Sequence, residues 1–99
     1  MAMSRDRGTA NQPLDQRYGL VCDLDGNPID DLLVMEANQE HGIMGHRSGK
    51  IEGALHLPVG TQVRIFPNHA CSTGAQYGQY KVLGPGHEVI ATWQRFSGW

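Results

Sequence analysis

Glycine and proline cut this 99-residue chain into short runs, and that punctuation constrains its fold more than any other feature. Asp25-Gly26-Asn27-Pro28, Pro58-Val59-Gly60 and Gly84-Pro85-Gly86 are strong turn signals. Thirteen residues are glycine, against an average usage of about 7%. Between the turns lie segments of β type. Residues 18–22 form one. Residues 32–37 are a second strand candidate; a helix competes there, but the window is short and has no apolar repeat at helical spacing. Residues 62–66 alternate polar and apolar and make the clearest half-buried strand, which Pro67 ends. Residues 79–83 alternate again, and residues 88–93 form the last strand. Residues 54–57 lead into the Pro58 turn. Residues 38–53, polar and rich in Gly and His, read as a loop or an irregular strand with a wide turn. This spacing predicts a mainly β fold without a helix: a small β-barrel or sandwich of about six short strands spanning residues 18–99. Residues 1–17 are a polar lead-in, expected to be exposed and in part poorly ordered.

Charge removes several functions. Eight Lys and Arg stand against ten Asp and Glu, a formal net charge of −2, so no basic footprint for nucleic acid exists. No run approaches the ~18 apolar residues of a membrane span, and the N-terminus lacks the apolar stretch of a secretory signal. Cys22 and Cys71 do not make a disulfide framework and are expected to be reduced thiols of a cytoplasmic protein. A chain of this size buries only about 60–65% of its unfolded surface, so a metal or a partner would matter to its stability.

The stretch richest in chemistry is Pro67-Asn68-His69-Ala70-Cys71. On a strand, residues two apart face the same side, so the imidazole of His69 and the thiolate of Cys71 could meet one ion. Zinc accepts that mixture of N and S donors, and two protein ligands leave the open positions that a catalytic metal needs. An ordinary polar turn with a buried cysteine is the competing account of so short a motif. Glu40-His41 pairs an acid with an imidazole and could supply a substrate contact, a further ligand or an orienting partner; a solvated loop competes with it. His46, His56 and His87 read as surface histidines, Cys22 as a small core residue, and Trp93 as packing for the last strand. Trp99 could pack on a partner domain. Phosphate-binding glycine loops, the Gly-x-Ser-x-Gly elbow and Cys-x-x-Cys pairs are all missing from the sequence.

In order along the chain, Met3-Ser4-Arg5-Asp6-Arg7-Gly8, Glu40-His41-Gly42, Leu57-Pro58-Val59-Gly60, residues 63–71, Val89-Ile90-Ala91-Thr92-Trp93 and the closing Arg95-Phe96-Ser97-Gly98-Trp99 resemble the C-terminal domain of D-serine dehydratase-like and D-threonine aldolase-like enzymes. The resemblance covers nearly the whole chain. It implies an alanine-racemase-like fold, in which an N-terminal α/β barrel holds pyridoxal phosphate on a lysine and a C-terminal β domain closes the site. It implies that His69 and Cys71 bind a divalent metal, often zinc, that engages the substrate's β-hydroxyl. Such a metal acts as a Lewis acid, and pyridoxal phosphate is the electron sink. Asn68 belongs to the same motif and, with Glu40 and His41, is a candidate for substrate contact or for orienting a ligand.

The same resemblance assigns residues 1–17 to the linker from the barrel and leaves no room for the barrel itself. Lys50 and Lys81 both fall in segments matching the β domain, so neither is implied as the Schiff-base lysine. The chain is therefore expected to be a metal-bearing piece of a lyase for D-serine- or D-threonine-like β-hydroxy amino acids. It would be an expressed fragment or the product of a truncated or split gene. Alone it is expected to be inactive, to need the barrel as partner, and to form dimers or higher oligomers through the apolar surface that the barrel would cover. A free-standing, non-catalytic β module that binds a metal or a protein is the alternative.

Overall fold

The computed structural model describes residues 3–7, 11–49 and 57–96. Among the described residues, six strands and one short helix run in the order β1 (Gly19–Cys22), β2 (Pro28–Ala37), β3 (Gly42–His46), β4 (Arg64–Pro67), α1 (Ala70–Gly74), β5 (Gln79–Leu83) and β6 (Val89–Gln94). They form a four-stranded sheet in the order β3-β2-β1-β4 and a two-stranded sheet of β5 and β6. All pairings are antiparallel. The mainly β architecture expected from the turn spacing is present.

β1 is buried because it pairs with both β2 and β4. Val21, Cys22, Leu32, Leu33 and Val34 are the buried hydrophobic side chains. Val21, Leu32 and Val34 cluster on one face, with Met3, Tyr18, Met44, Leu57, Val63 and Ile65 packed around them. Burial lifts the Cys22 thiol above its ordinary pKa, and the neighbouring Asp23 charge adds to this. That keeps Cys22 protonated and inert.

Three expectations about local structure change. β2 starts at Pro28, four residues ahead of the expected Leu32. The extra residues include a break in register opposite Leu20 and Cys22, where Asp30 and Asp31 take positive φ values of 20° and 56°. A bulge of this kind hides a strand from a simple alternation test. Gly42–His46, inside the stretch read as loop or irregular strand, is a regular strand closed by a tight turn, in which the Asn38 N–H donates to the His41 carbonyl at 2.8 Å. The third change is α1, where no helix was expected. The run at residues 54–57 that leads into the Pro58 turn lies, up to His56, outside the described residues, as do Lys50 and Trp99.

The β5–β6 hairpin stands apart from the main sheet. Trp93, expected in the core, is 62% exposed, because the second sheet has only two strands and its outer face has no cover among the described residues. His87 Nε2 and Asp25 Oδ1, 3.0 Å apart, connect the β5–β6 turn to the β1–β2 turn. The latter turn is built on Asp23, whose Oδ1 accepts the N–H groups of Asp25 and Asn27 at 2.9 Å each. The Asn27 N–H, with help from the Asn27 side chain, holds the Asp23 carboxyl below its ordinary 3.8. A depressed folded-state pKa contributes stability above the unfolded value that is lost as pH falls. Asp23→Asn should therefore flatten the loss of stability as pH falls below about 4, measured by urea unfolding across a series of acidic buffers.

Candidate metal centre

The site grows out of β4. Its residues pair with β1 in the register Gly19↔Pro67 to Cys22↔Arg64, and the Asn68 N–H donates to the Tyr18 carbonyl at 2.9 Å. Pro67 has no N–H to continue the ladder, so the chain turns away and enters α1. His69 is the residue before the first helical turn, with extended φ −124° and ψ 95°. Its carbonyl accepts the Ser72 hydroxyl at 3.0 Å. Cys71 follows inside α1.

This placement corrects the strand geometry assumed for the pair. His69 and Cys71 straddle a strand-to-helix junction, and residues two apart on a helix do not share a face. Cys71 is also exposed and free, so the buried cysteine of the competing turn account does not apply. The thiol lines a depression of about 350 Å³ with Ala70, Gly74, Tyr80, Arg95 and Phe96. α1 sits against β5 there: a Cβ added at Gly74 would lie 2.9 Å from the Tyr80 hydroxyl.

His69 is largely covered, with 28% of its side chain exposed. Its Nδ1 is buried without a hydrogen-bond partner and lies 3.7 Å from Asp6 Oδ2. Asn68 donates through Nδ2 to the Asp6 carbonyl at 3.1 Å, while its Oδ1 is buried and unbonded. Asp6 therefore joins the site from the lead-in, 62 residues before Asn68. Nothing local in the sequence announced this, since the lead-in looks like an ordinary solvated segment.

Glu40 and His41 lie on the β2–β3 turn and line a different depression of about 410 Å³, with Asn38 and Gln39. Among the described residues, no three His, Cys, Asp or Glu side chains form a group that could hold a metal. What this chain offers is an imidazole and an accessible thiol two residues apart, a donor set that fits zinc and leaves further positions open to other ligands. Lys81 points elsewhere, its Nζ donating to Thr92 Oγ1 at 3.0 Å across the hairpin.

Residues 1–83 match the serine dehydratase domain family. The D-threo-3-hydroxyaspartate dehydratase of Delftia sp. (strain HT23) is 50% identical over the whole of this chain. Its solved structure superposes with a TM-score of 0.78 at 48% identity over 99% of the chain. The chain spans about a quarter of that enzyme's length, 26%. Two solved variants of the enzyme also match: one with cysteine replaced by alanine, described as metal-free (TM-score 0.77), and one with histidine replaced by alanine (TM-score 0.79). Their substituted positions are two residues apart. An alanine-racemase-like protein from Idiomarina loihiensis matches with a TM-score of 0.72 at 45% identity, covering 99% of this chain and 26% of its own.

Proposed function

The chain belongs to the serine dehydratase domain family, and from that premise we propose that it is the metal-bearing C-terminal domain of a pyridoxal-phosphate-dependent dehydratase acting on β-hydroxy D-amino acids. One observation carries the reading. His69 and Cys71 have the spacing of the histidine and cysteine substituted in the Delftia dehydratase, and the structure of that enzyme's cysteine variant is described as its metal-free form. The competing free-standing module has no comparable support.

His69 and Cys71 would hold zinc or another divalent ion. Bound there, the ion supplies Lewis acidity to the substrate's β-hydroxyl, which makes it a better leaving group. The protein's own part is to hold these two donors at a rigid junction. The β1–β4 ladder fixes the backbone up to Asn68, and α1 fixes it from Ala70 onward. The 350 Å³ depression beside Cys71 would give a small ligand near the thiol a concave wall. Arg95, at its edge, supplies positive charge of the kind that attracts a substrate carboxylate.

Pyridoxal phosphate belongs, on this reading, to an α/β barrel domain outside this chain, and the isolated domain does no chemistry. The barrel, or a second copy of this chain, would cover the apolar hairpin surface around Tyr80, Ile90, Trp93 and Phe96, all exposed here. The substrate would carry its hydroxyl on the β-carbon of a D-amino acid, as D-serine, D-threonine and the Delftia enzyme's 3-hydroxyaspartate do.

Zinc titration of the 99-residue chain by calorimetry tests the reading, with cobalt as a spectroscopic substitute. One ion should bind per chain, and cobalt should show thiolate charge-transfer absorption. His69→Ala and Cys71→Ala should each weaken binding by more than about 100-fold, because each removes one of two ligands. Unchanged affinity in both variants would sink the metal reading.

A further inference from the structure

We propose that Asp6 is the positioning residue of the metal centre: its carboxylate receives the Nδ1–H of His69 and leaves Nε2 as the metal-binding nitrogen. The inference rests on the metal reading above and adds a residue to it, taken from a segment with no evident chemistry.

The geometry has three parts. Asp6 Oδ2 lies 3.7 Å from His69 Nδ1. That nitrogen is buried and has no hydrogen-bond partner, and a buried ring N–H is rarely left so. The backbone of Asp6 is also held against the neighbour of His69. Asn68 Nδ2 donates to the Asp6 carbonyl at 3.1 Å, and the Asp6 N–H donates to Ser4 Oγ at 3.0 Å. One residue earlier, Arg5 pairs with Asp15 at 3.1 Å. The carboxylate is thus delivered to the ring by main-chain contacts that do not depend on the carboxylate itself. Closing the gap to hydrogen-bond length takes less than about 1 Å of side-chain movement.

The chemistry follows from what a metal asks of an imidazole. A histidine ligand needs a lone pair on one nitrogen, and the proton on the other is held by a carboxylate or carbonyl. That partner fixes the tautomer, orients the ring and makes it a stronger donor. With its backbone fixed at the β4–α1 junction, His69 has only ring rotation and tautomer left to define. Asp6 defines both. Asn68 then contributes through its side chain, which holds the segment that carries Asp6.

The test has two readouts on the 99-residue chain. In the metal-free chain near pH 8.5, about 2 units above the ordinary histidine pKa, nitrogen-15 NMR should find the His69 proton on Nδ1. Asp6→Ala should move it toward Nε2. Zinc affinity should fall about 10- to 100-fold in Asp6→Ala, fall less in Asp6→Asn, which can still accept the proton, and recover in part with Asp6→Glu. All three variants keep the carbonyl that Asn68 grips, so circular dichroism should show the native fold. A native His69 carrying its proton on Nε2 overturns the proposal. So does undiminished zinc affinity in Asp6→Ala when His69→Ala and Cys71→Ala have lost theirs. Undiminished affinity in all three is a different pattern, and it fails the metal reading itself.

Discussion

Gly19→Ala is expected to destabilise the domain by about 3 kcal/mol and to weaken the metal centre with it. Gly19 has φ +155°, and an added Cβ would overlap the Phe66 carbonyl oxygen and lie 3.1 Å from both Phe66 C and Pro67 Cα. Those are backbone atoms of the paired strand, so no side-chain rotation relieves the overlap, and β1 and β4 must separate. Gly49→Ala is the internal control. Its φ of +70° is also unfavourable for alanine, but nothing lies within 4 Å of the added Cβ, so only the conformational cost of about 1–2 kcal/mol applies. Urea unfolding at neutral pH compares the two. Equal losses would mean that the close approach of β1 to β4 is relieved in solution. The functional consequence is local. Gly19 pairs with Pro67, one residue before Asn68 and two before His69. Zinc affinity of the folded Gly19→Ala chain should therefore drop as the junction moves, while Gly49→Ala leaves it unchanged.

How legible this molecule was in its sequence depended on the range of the interactions involved. The strands at residues 18–22, 62–66, 79–83 and 88–93 were visible because alternation and turn residues are local signals. β3 was legible only as a loop or an irregular strand, because Gly42-Ile43-Met44-Gly45-His46 carries two glycines and a histidine in five residues. It is a strand because β2 supplies its partner. α1 was missed because five residues are too few for any helical repeat, and the strand assumption then misplaced the His69 and Cys71 side chains. Trp93 reads as core in the sequence because apolar strands usually pack inward. Only the separation of β5 and β6 into their own sheet shows why it is exposed. The identities of the candidate ligands were legible from the motif and the family resemblance. The contact of Asp6 with His69 was not, because it joins residues more than 60 positions apart in the sequence and is supported by the bond from the Asn68 side chain to the Asp6 carbonyl.

Leu33→Ala is expected to cost about as much as Leu32→Ala, roughly 3 kcal/mol each. The equality is the informative part. Adjacent residues on a strand face opposite sides of the sheet. Leu32 joins Val21 and Val34 in the main cluster, so its cost is that of an ordinary core leucine. Leu33 faces the other way, beside Leu20 on β1 and Gly45 on β3. It is nonetheless only 1% exposed. On that side Met35 lies over Gly45, its Cγ 3.2 Å from where a Cβ would sit. The main sheet is thus covered on both faces at its centre, although a domain this small could leave one face wet. A stability of about 5–15 kcal/mol is ordinary for a domain of this length, so either substitution removes a large share, and the double variant should lose about 6 kcal/mol. Urea unfolding measures all three. A loss below about 1 kcal/mol for Leu33→Ala would mean that the second face opens in solution. The β1–β4 ladder that carries His69 would then have support on one side only, and a rigid metal junction would need its partner domain in order to form.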